Sequence, residues 1–159
     1  MRFAVGTVAR IVSVEVSEGS IHLLANGATR FEVVRWLQDD PYPRAEVRAR
    51  AAVEFDASTP SKLAEAEALV RGTLARASEF VELPWPADVE LSPELGERIW
   101  QVAGIAPLSP MDQYALLRSA TAAELLTRLV DDTQGAEIVL TAGWGAGSAD
   151  GGGGEGAAG

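Results

Sequence analysis

A run of alternating β-branched residues near the start of the chain constrains the fold more than any other stretch. Every second residue of this run is Val8, Arg10, Val12, Val14 and Val16. A period of two with valine at most positions is typical of a half-buried β-strand, and it predicts that these five side chains share one face. Glu18 and Gly19 end the run.

Three further strands are predicted from the turn residues that follow. The apolar run 21–25 returns at hairpin distance, and Asn26-Gly27 follows it, a dipeptide that readily adopts the positive φ of a tight turn. A third run, 31–37, stops at residues 39–43, where two prolines remove backbone donors. With 45–49 as a fourth strand, the sequence predicts an antiparallel meander.

The second half of the chain predicts about four helices. Their expected starts each combine a capping residue with a proline or an acid: Thr59-Pro60, Ser92-Pro93-Glu94, Ser109-Pro110-Met111-Asp112 and Thr121-Ala122-Ala123-Glu124. In the first helix, expected from Pro60 to Phe80, apolar residues recur at helical spacing: Leu63, Ala66, Val70, Leu74 and Ala77. We predict a β-rich part at 1–57, a helical part at 58–141 and a disordered Gly/Ala-rich tail at 142–159.

Composition restricts the function classes. The net charge of −10 argues against nucleic acid and anionic membranes as partners, because both are bound mainly by clustered Lys and Arg. The absence of cysteine excludes disulfides and Cys-ligated metals. No stretch resembles a signal peptide or approaches the ~20 apolar residues of a membrane span, so we expect a cytoplasmic protein.

Few residues in the sequence are candidates for catalysis or for metal binding. His22 is the single histidine, and neither a nucleophile elbow nor a phosphate-binding Gly-x-x-x-x-Gly-Lys loop is present. The acid pairs Asp39-Asp40 and Asp131-Asp132 fit a turn and a polar helix face better than a metal site. Arg30 and Arg35 are expected to pair with acids across the sheet. We predict no enzymatic activity, no metal and no cofactor.

Aromatic residues are the better candidates for a binding surface. Trp36, Tyr42 and Trp85 are large amphipathic side chains in or beside turns, and such residues often anchor bound polypeptide. The competing interpretation is that these aromatics, with Trp100, cover the joint between strands and helices. For Tyr42 and Trp85, which lie in proline-rich loops, the two interpretations are nearly balanced.

Five motifs occur in the same order along this chain as in one protein family. They are Gly6-Thr7-Val8-Ala9-Arg10-Ile11, Gly27 with Arg30-Phe31, Asp40-Pro41-Tyr42-Pro43 with Ala45-Glu46-Val47, the segment Leu108–Leu117, and Glu124–Leu129. Over roughly Phe3 to Leu140 the chain resembles the Lon amino-terminal domain, the substrate-binding domain of the ATP-dependent protease La. The resemblance implies an α+β fold, an antiparallel PUA-like pseudo-barrel followed by a helical segment.

The chain departs from this family at its start. Members open with a Leu-Phe-Pro-Leu strand, a short helix and a further strand, whereas Met1 here lies just before the Gly-Thr-Val-Ala segment. Two interpretations stay open: the true start lies upstream, or the barrel lacks its first strands. The second would expose a sheet edge.

The resemblance implies a non-catalytic function. It implies recognition of unfolded polypeptide or of a partner protein, such as a protease or chaperone, without the ATPase and protease domains. PUA-like barrels in other families bind RNA, so a nucleic-acid-binding module is the alternative, against which the charge of −10 argues. A small-molecule site would need a tryptophan cage that the sequence does not display. The oligomeric state cannot be predicted from these residues.

Overall fold

The computed structural model describes residues 2–147. Three strands, β1 (Val5–Ser17), β2 (Ser20–Trp36) and β3 (Ala45–Ala49), precede four helices, α1 (Thr59–Ala77), α2 (Leu95–Ile105), α3 (Pro110–Leu117) and α4 (Ala122–Gly147). The predicted α+β class, with an antiparallel sheet followed by four helices, is confirmed.

The sheet is built on one long hairpin. Its strand order is β1-β2-β3 and both pairs are antiparallel, so β1 and β3 are the edges among the described residues. The β1–β2 turn consists of Glu18 and Gly19, which have φ values of 23° and 88°. Positive φ at both central residues matches the right-handed twist of the strands that the turn joins, and glycine adopts it without strain.

Asn26-Gly27 does not form the predicted turn, and the second and third predicted strands are one strand. Asn26 pairs with Arg10, and Gly27 pairs with Ala9, in the middle of β2. A Cβ at Gly27 would lie 3.1 Å from Thr7 Cγ2, and the register shifts between Thr7 and Ala9. Glycine here marks a bulge and a close approach, which is the other common meaning of glycine inside a strand.

A second bulge changes which side chains of β1 share a face. Ile11 pairs with Ala25, whereas Ser13 pairs with Leu24, so Val12 is an extra residue. The alternation of side chains reverses there. The prediction that the alternate residues from Val8 to Val16 share one face is therefore wrong.

We name the two faces of the sheet after adjacent residues of β2. Directly opposed residues share a face. The Arg30 face includes these β1 residues and their β2 partners: Thr7 with Arg30, Ala9 with Gly27, Ile11 with Ala25, Val14 with Leu23, and Val16 with Ile21. The Phe31 face includes Gly6 with Phe31, Arg10 with Asn26, Glu15 with His22, Val33 with Val47, and Trp36 with Ala45.

The helices pack around the apolar stripes that the sequence predicts. All five predicted residues of α1 are buried: Leu63, Ala66, Val70, Leu74 and Ala77. They are joined by Ile99 and Val102 of α2 and by Leu125, Leu126 and Leu129 of α4. The capping residues of α3 and α4 act as predicted, since Asp112 N donates to Ser109 Oγ and Glu124 N donates to Thr121 Oγ1.

The ends of three helices differ from expectation. α1 is preceded by Ser58 as its capping position, so Thr59 is already helical, and α2 begins at Leu95. α4 passes through Gly135 without interruption and includes residues 142–147, the first part of the tail for which disorder was predicted. The rest of that tail, 148–159, lies outside the described residues.

Among the described residues the chain divides into two compact units. The sheet unit consists of 2–54 and a short return segment at 117–120, and the helical unit consists of 55–116 and 121–147. The return segment was not foreseen from the sequence.

Candidate functional site

Apolar side chains lie exposed over much of the sheet unit. Within 2–54, the buried hydrophobic residues are Val5 and Val53. The exposed large ones are Phe3, Val8, Ile11, Val12, Val14, Val16, Ile21, Leu23, Leu24, Val34, Trp36, Tyr42 and Val47. Apolar surface on this scale commonly marks an interaction site.

The Phe31 face is apolar where β2 and β3 pair. Val33 lies opposite Val47, and Trp36 opposite Ala45. The ring of Phe31 lies against Gly6, where a Cβ would come within 2.6 Å of Phe31 Cζ. Glycine at this position therefore admits the ring.

The Arg30 face is charged over the same strands. Arg35 donates two hydrogen bonds to Glu46, at 2.7 and 2.6 Å, and Arg48 is bonded to Glu32. The hydrogen bond from Arg35 lowers the pKa of Glu46 below its usual value. The two faces therefore differ sharply in chemistry, and the apolar one is suited to contact another protein.

Trp36, the first predicted binding residue, stands at the end of β2 beside an ion pair. The guanidinium carbon of Arg2 lies 4.8 Å from the Trp36 ring centroid, and Arg2 donates to both oxygens of Asp39 at 2.9 Å. Trp36 remains 39% exposed. Asp39 thus holds the cation in position over the indole, which keeps the ring orientation defined. Sequence reasoning missed this group, because Arg2 and Asp39 are 37 residues apart.

Tyr42, the second predicted residue, projects from the β2–β3 connection. Leu37 N donates to Arg44 O at 2.8 Å, and Asp40 N donates to Tyr42 O at 3.1 Å, so the backbone of this connection is held at its base and within its turn. The side chain is 65% exposed. An aromatic ring on a fixed backbone loses little conformational entropy on binding.

Trp85, the third predicted residue, belongs to the helical unit. It lies between α1 and α2 and is 47% exposed. Trp36 and Tyr42 therefore share one unit, and Trp85 belongs to the other. The binding role of all three stays a prediction.

Arg35 pairs with an acid across the sheet as predicted, but the prediction for Arg30 is wrong. The Arg30 guanidinium donates to the carbonyls of Leu117, Ser119 and Ala51 at 2.9, 2.8 and 2.8 Å. Burial, with a smaller contribution from nearby Arg50, lowers its pKa below the usual value. The last residue of a helix and the irregular backbone at Ser119 and Ala51 both leave carbonyls without a partner in regular secondary structure, so this buried cation is satisfied by backbone oxygens.

Residues 2–131 match the family model of the ATP-dependent protease La (LON) substrate-binding domain. The chain belongs to this family. No curated protein sequence matches it. The matched range contains the whole sheet unit and most of the helical unit of this Lon substrate-binding domain.

Two solved Lon structures share the fold. The N-terminal domain of Mycobacterium avium complex Lon protease is 20% identical, with a TM-score of 0.59 over 82% of this chain and 70% of that chain. The Lon N-terminal domain protein from Xanthomonas campestris is 22% identical, with a TM-score of 0.51 over 81% of this chain and 68% of that chain.

Arg30, Arg50 and His22 of this Lon domain either donate to backbone carbonyls or face solvent. A pocket of about 360 Å³ in the sheet unit includes Arg30 and Arg50, whose guanidinium groups donate to backbone carbonyls. His22 is exposed opposite Glu15. Within 2–147, no three His, Cys, Asp or Glu side chains are grouped to hold a metal ion. No helix in that range is long and apolar enough to span a membrane.

Proposed function

We propose that this chain is a non-catalytic module that recognises polypeptide, binding an extended segment on the Phe31 face beside Trp36 and Tyr42. One observation carries the proposal: the sheet exposes apolar residues, and on the β2–β3 part the paired ones, Val33, Trp36 and Val47, lie on a single face. Family membership supports it, because the family is that of a substrate-binding domain. The partner is an unfolded polypeptide or a cytoplasmic protein such as a protease or chaperone.

The geometry suggests how such a segment is held. β3 is a sheet edge with five residues, so its outer backbone groups can pair with an added strand. Alternate side chains of the added strand then lie beside Val47 and Ala45 on the Phe31 face. Trp36 and Tyr42 supply the rigid aromatic anchors, with Trp85 as a further predicted anchor in the helical unit.

Fluorescence anisotropy with a labelled, permanently unfolded polypeptide tests the proposal. We expect saturable binding that Trp36→Ala and Tyr42→Ala each weaken by about tenfold or more, as hot-spot aromatics do. Met111→Ala is the matched control, since Met111 is an exposed apolar residue of the helical unit.

The same experiment separates the alternatives. Absence of saturable binding, or equal effects of the Met111 and Trp36 substitutions, would reject the proposed site. Binding of labelled RNA at low salt would favour the nucleic-acid alternative, because phosphate-driven affinity is strongest there. Loss of affinity in Trp85→Ala would show that Trp85 also contributes to binding.

A further inference from the structure

The outer edge of β1 is the longest free strand edge in the described part of the chain. β1 has 13 residues and pairs with a strand on one side only. Its apolar residues are largely exposed, with Val16 at 77%. A long, apolar edge of this kind readily accepts another strand.

The charges of β1 are self-complementary. Arg10 and Glu15 are its only charged residues, and both are exposed. The strand is therefore neutral, although the whole chain carries −10. Repulsion between two copies is accordingly weak along this edge.

The bulge at Val12 limits which registers two copies can adopt. In an antiparallel pair of identical edge strands, the twofold axis is perpendicular to the sheet, so each face continues onto the same face of the second copy. Ile11 and Val14 both lie on the Arg30 face, because the extra residue reverses the alternation between them. Only registers centred at this bulge keep like faces together along the strand.

One of these registers also pairs the charges. Centred between Val12 and Ser13, it places Ile11 opposite Val14 of the second copy, and Ala9 opposite Val16. It places Arg10 opposite Glu15 of the second copy, and symmetry repeats each contact. Both β1 strands contain the extra residue at the centre of this register, so the paired segments on either side of it have equal lengths.

We propose that two copies of this chain associate through antiparallel pairing of their β1 strands in this register. The result is a continuous six-stranded sheet whose outer edges are the two short β3 strands and the part of each β2 that precedes Phe31, which β3 does not cover. Opposite-charge and β-branched cross-strand pairs stabilise such a contact. The proposal goes beyond the polypeptide-binding role, which uses β3 and the Phe31 face, so either can fail without the other.

Sedimentation velocity on the 159-residue chain, over a range of concentrations, tests the association. We expect a reversible dimer that Arg10→Glu and Glu15→Arg each weaken by about tenfold, because each places two like-charged pairs in the contact. The double variant R10E/E15R exchanges the charges and is expected to restore the dimer. Arg44→Glu is the matched control, an exposed charge reversal in the β2–β3 connection.

Disulfide trapping tests the register, since the chain has no native cysteine. A mixture of Ile11→Cys and Val14→Cys chains is expected to give a cross-linked heterodimer on oxidation. Each variant alone is expected to cross-link poorly, because like positions lie three residues apart, about 10 Å. That separation exceeds the Cα distance of about 7 Å that a disulfide can bridge.

Three results would overturn the proposal. The first is a protein that stays monomeric at every concentration, even if its β1 edge binds an unrelated peptide. The second is a dimer that neither charge reversal weakens. The third is efficient cross-linking of either cysteine variant alone, which would show a different register.

Discussion

The guanidinium of Arg30 donates a 2.8 Å hydrogen bond to the carbonyl of Ser119, which lies 89 residues later in the chain. The same group donates to the carbonyls of Leu117 and Ala51, so one side chain joins β2 to the return segment and to the residues that follow β3. Glu54 N donates to Ala120 O alongside it. The return segment is thereby attached to the sheet by hydrogen bonds between parts of the chain that are distant in sequence.

Arg30→Lys is expected to lower the free energy of unfolding by about 2–3 kcal/mol. A single ammonium group cannot reproduce the planar fork that reaches three carbonyls, and buried carbonyls would lose their donors. Urea denaturation monitored by circular dichroism measures the change. Arg35→Lys, at an exposed ion pair, should cost less than about 0.5 kcal/mol. Equal losses in the two variants would contradict the structural role of Arg30.

Gly6→Ala is expected to destabilise the protein by about 1–2 kcal/mol, because the new Cβ would lie 2.6 Å from Phe31 Cζ and the ring must move. Phe31→Leu in the same chain should recover part of the loss, which a double-mutant cycle would measure as coupling. Gly104→Ala provides the control, since nothing lies within 4 Å of its Cβ position and alanine favours the helix. Additive effects at positions 6 and 31 would exclude the proposed contact.

Glu67 is expected to make stability fall in acid. It accepts hydrogen bonds from Arg98 at 2.8 and 3.0 Å and from Arg71 at 2.9 Å. These bonds, chiefly from Arg98, lower its pKa in the folded state. Its contribution is therefore full above the unfolded-state pKa and disappears as pH falls through the folded-state value.

Glu67→Gln isolates that contribution. We expect a loss of about 1–2 kcal/mol at neutral pH that shrinks towards zero below the folded-state pKa of Glu67. Thermal unfolding from neutral to acidic pH would show two curves that converge. Curves that stay parallel would mean that the carboxylate charge at this position does not affect stability.

Asp132 is expected to affect the pH dependence of stability in the opposite direction to Glu67. Burial, followed by the charge of Asp112, raises its pKa. Ionisation therefore costs more in the folded protein, and stability falls as pH rises from the unfolded-state pKa through the folded-state one. Asp132→Asn should stabilise the protein at neutral pH by about 0.5–1 kcal/mol. Asp131→Asn, at the exposed neighbouring carboxylate, should change stability less; equal gains would point to net charge as the cause.

Local rules predicted the elements whose structure depends on nearby residues. The spacing of Leu63, Val70 and Leu74 predicted α1 and its buried side, and Thr121 and Glu124 predicted the start of α4. Asn26-Gly27 misled because the same dipeptide permits a turn or a bulge, and the pairing partner decides between them. The pairing of β2 with β1 can be known only from the positions of both strands in the fold.

The candidate site was less predictable than the helices. Exposure of Trp36 and Tyr42 could be anticipated from their positions beside turns. The cation over Trp36 could not, since it depends on Arg2 meeting Asp39 across the fold. The partners of Arg30 were predicted wrongly because acids are the usual partners of arginine. No residue near Arg30 in the sequence indicates that the return segment lies beside it.

The position of that return segment sets an order of events during synthesis. The sheet unit includes residues 117–120, which are synthesised only after residues 55–116 of the helical unit. The hairpin therefore leaves the ribosome before the Leu117 and Ser119 carbonyls that accept from Arg30 have been made, when only the Ala51 carbonyl is present. Its valines, which are exposed even in the folded protein, are exposed throughout this time. A helper that shields the nascent hairpin would act in the interval before Ala120 emerges.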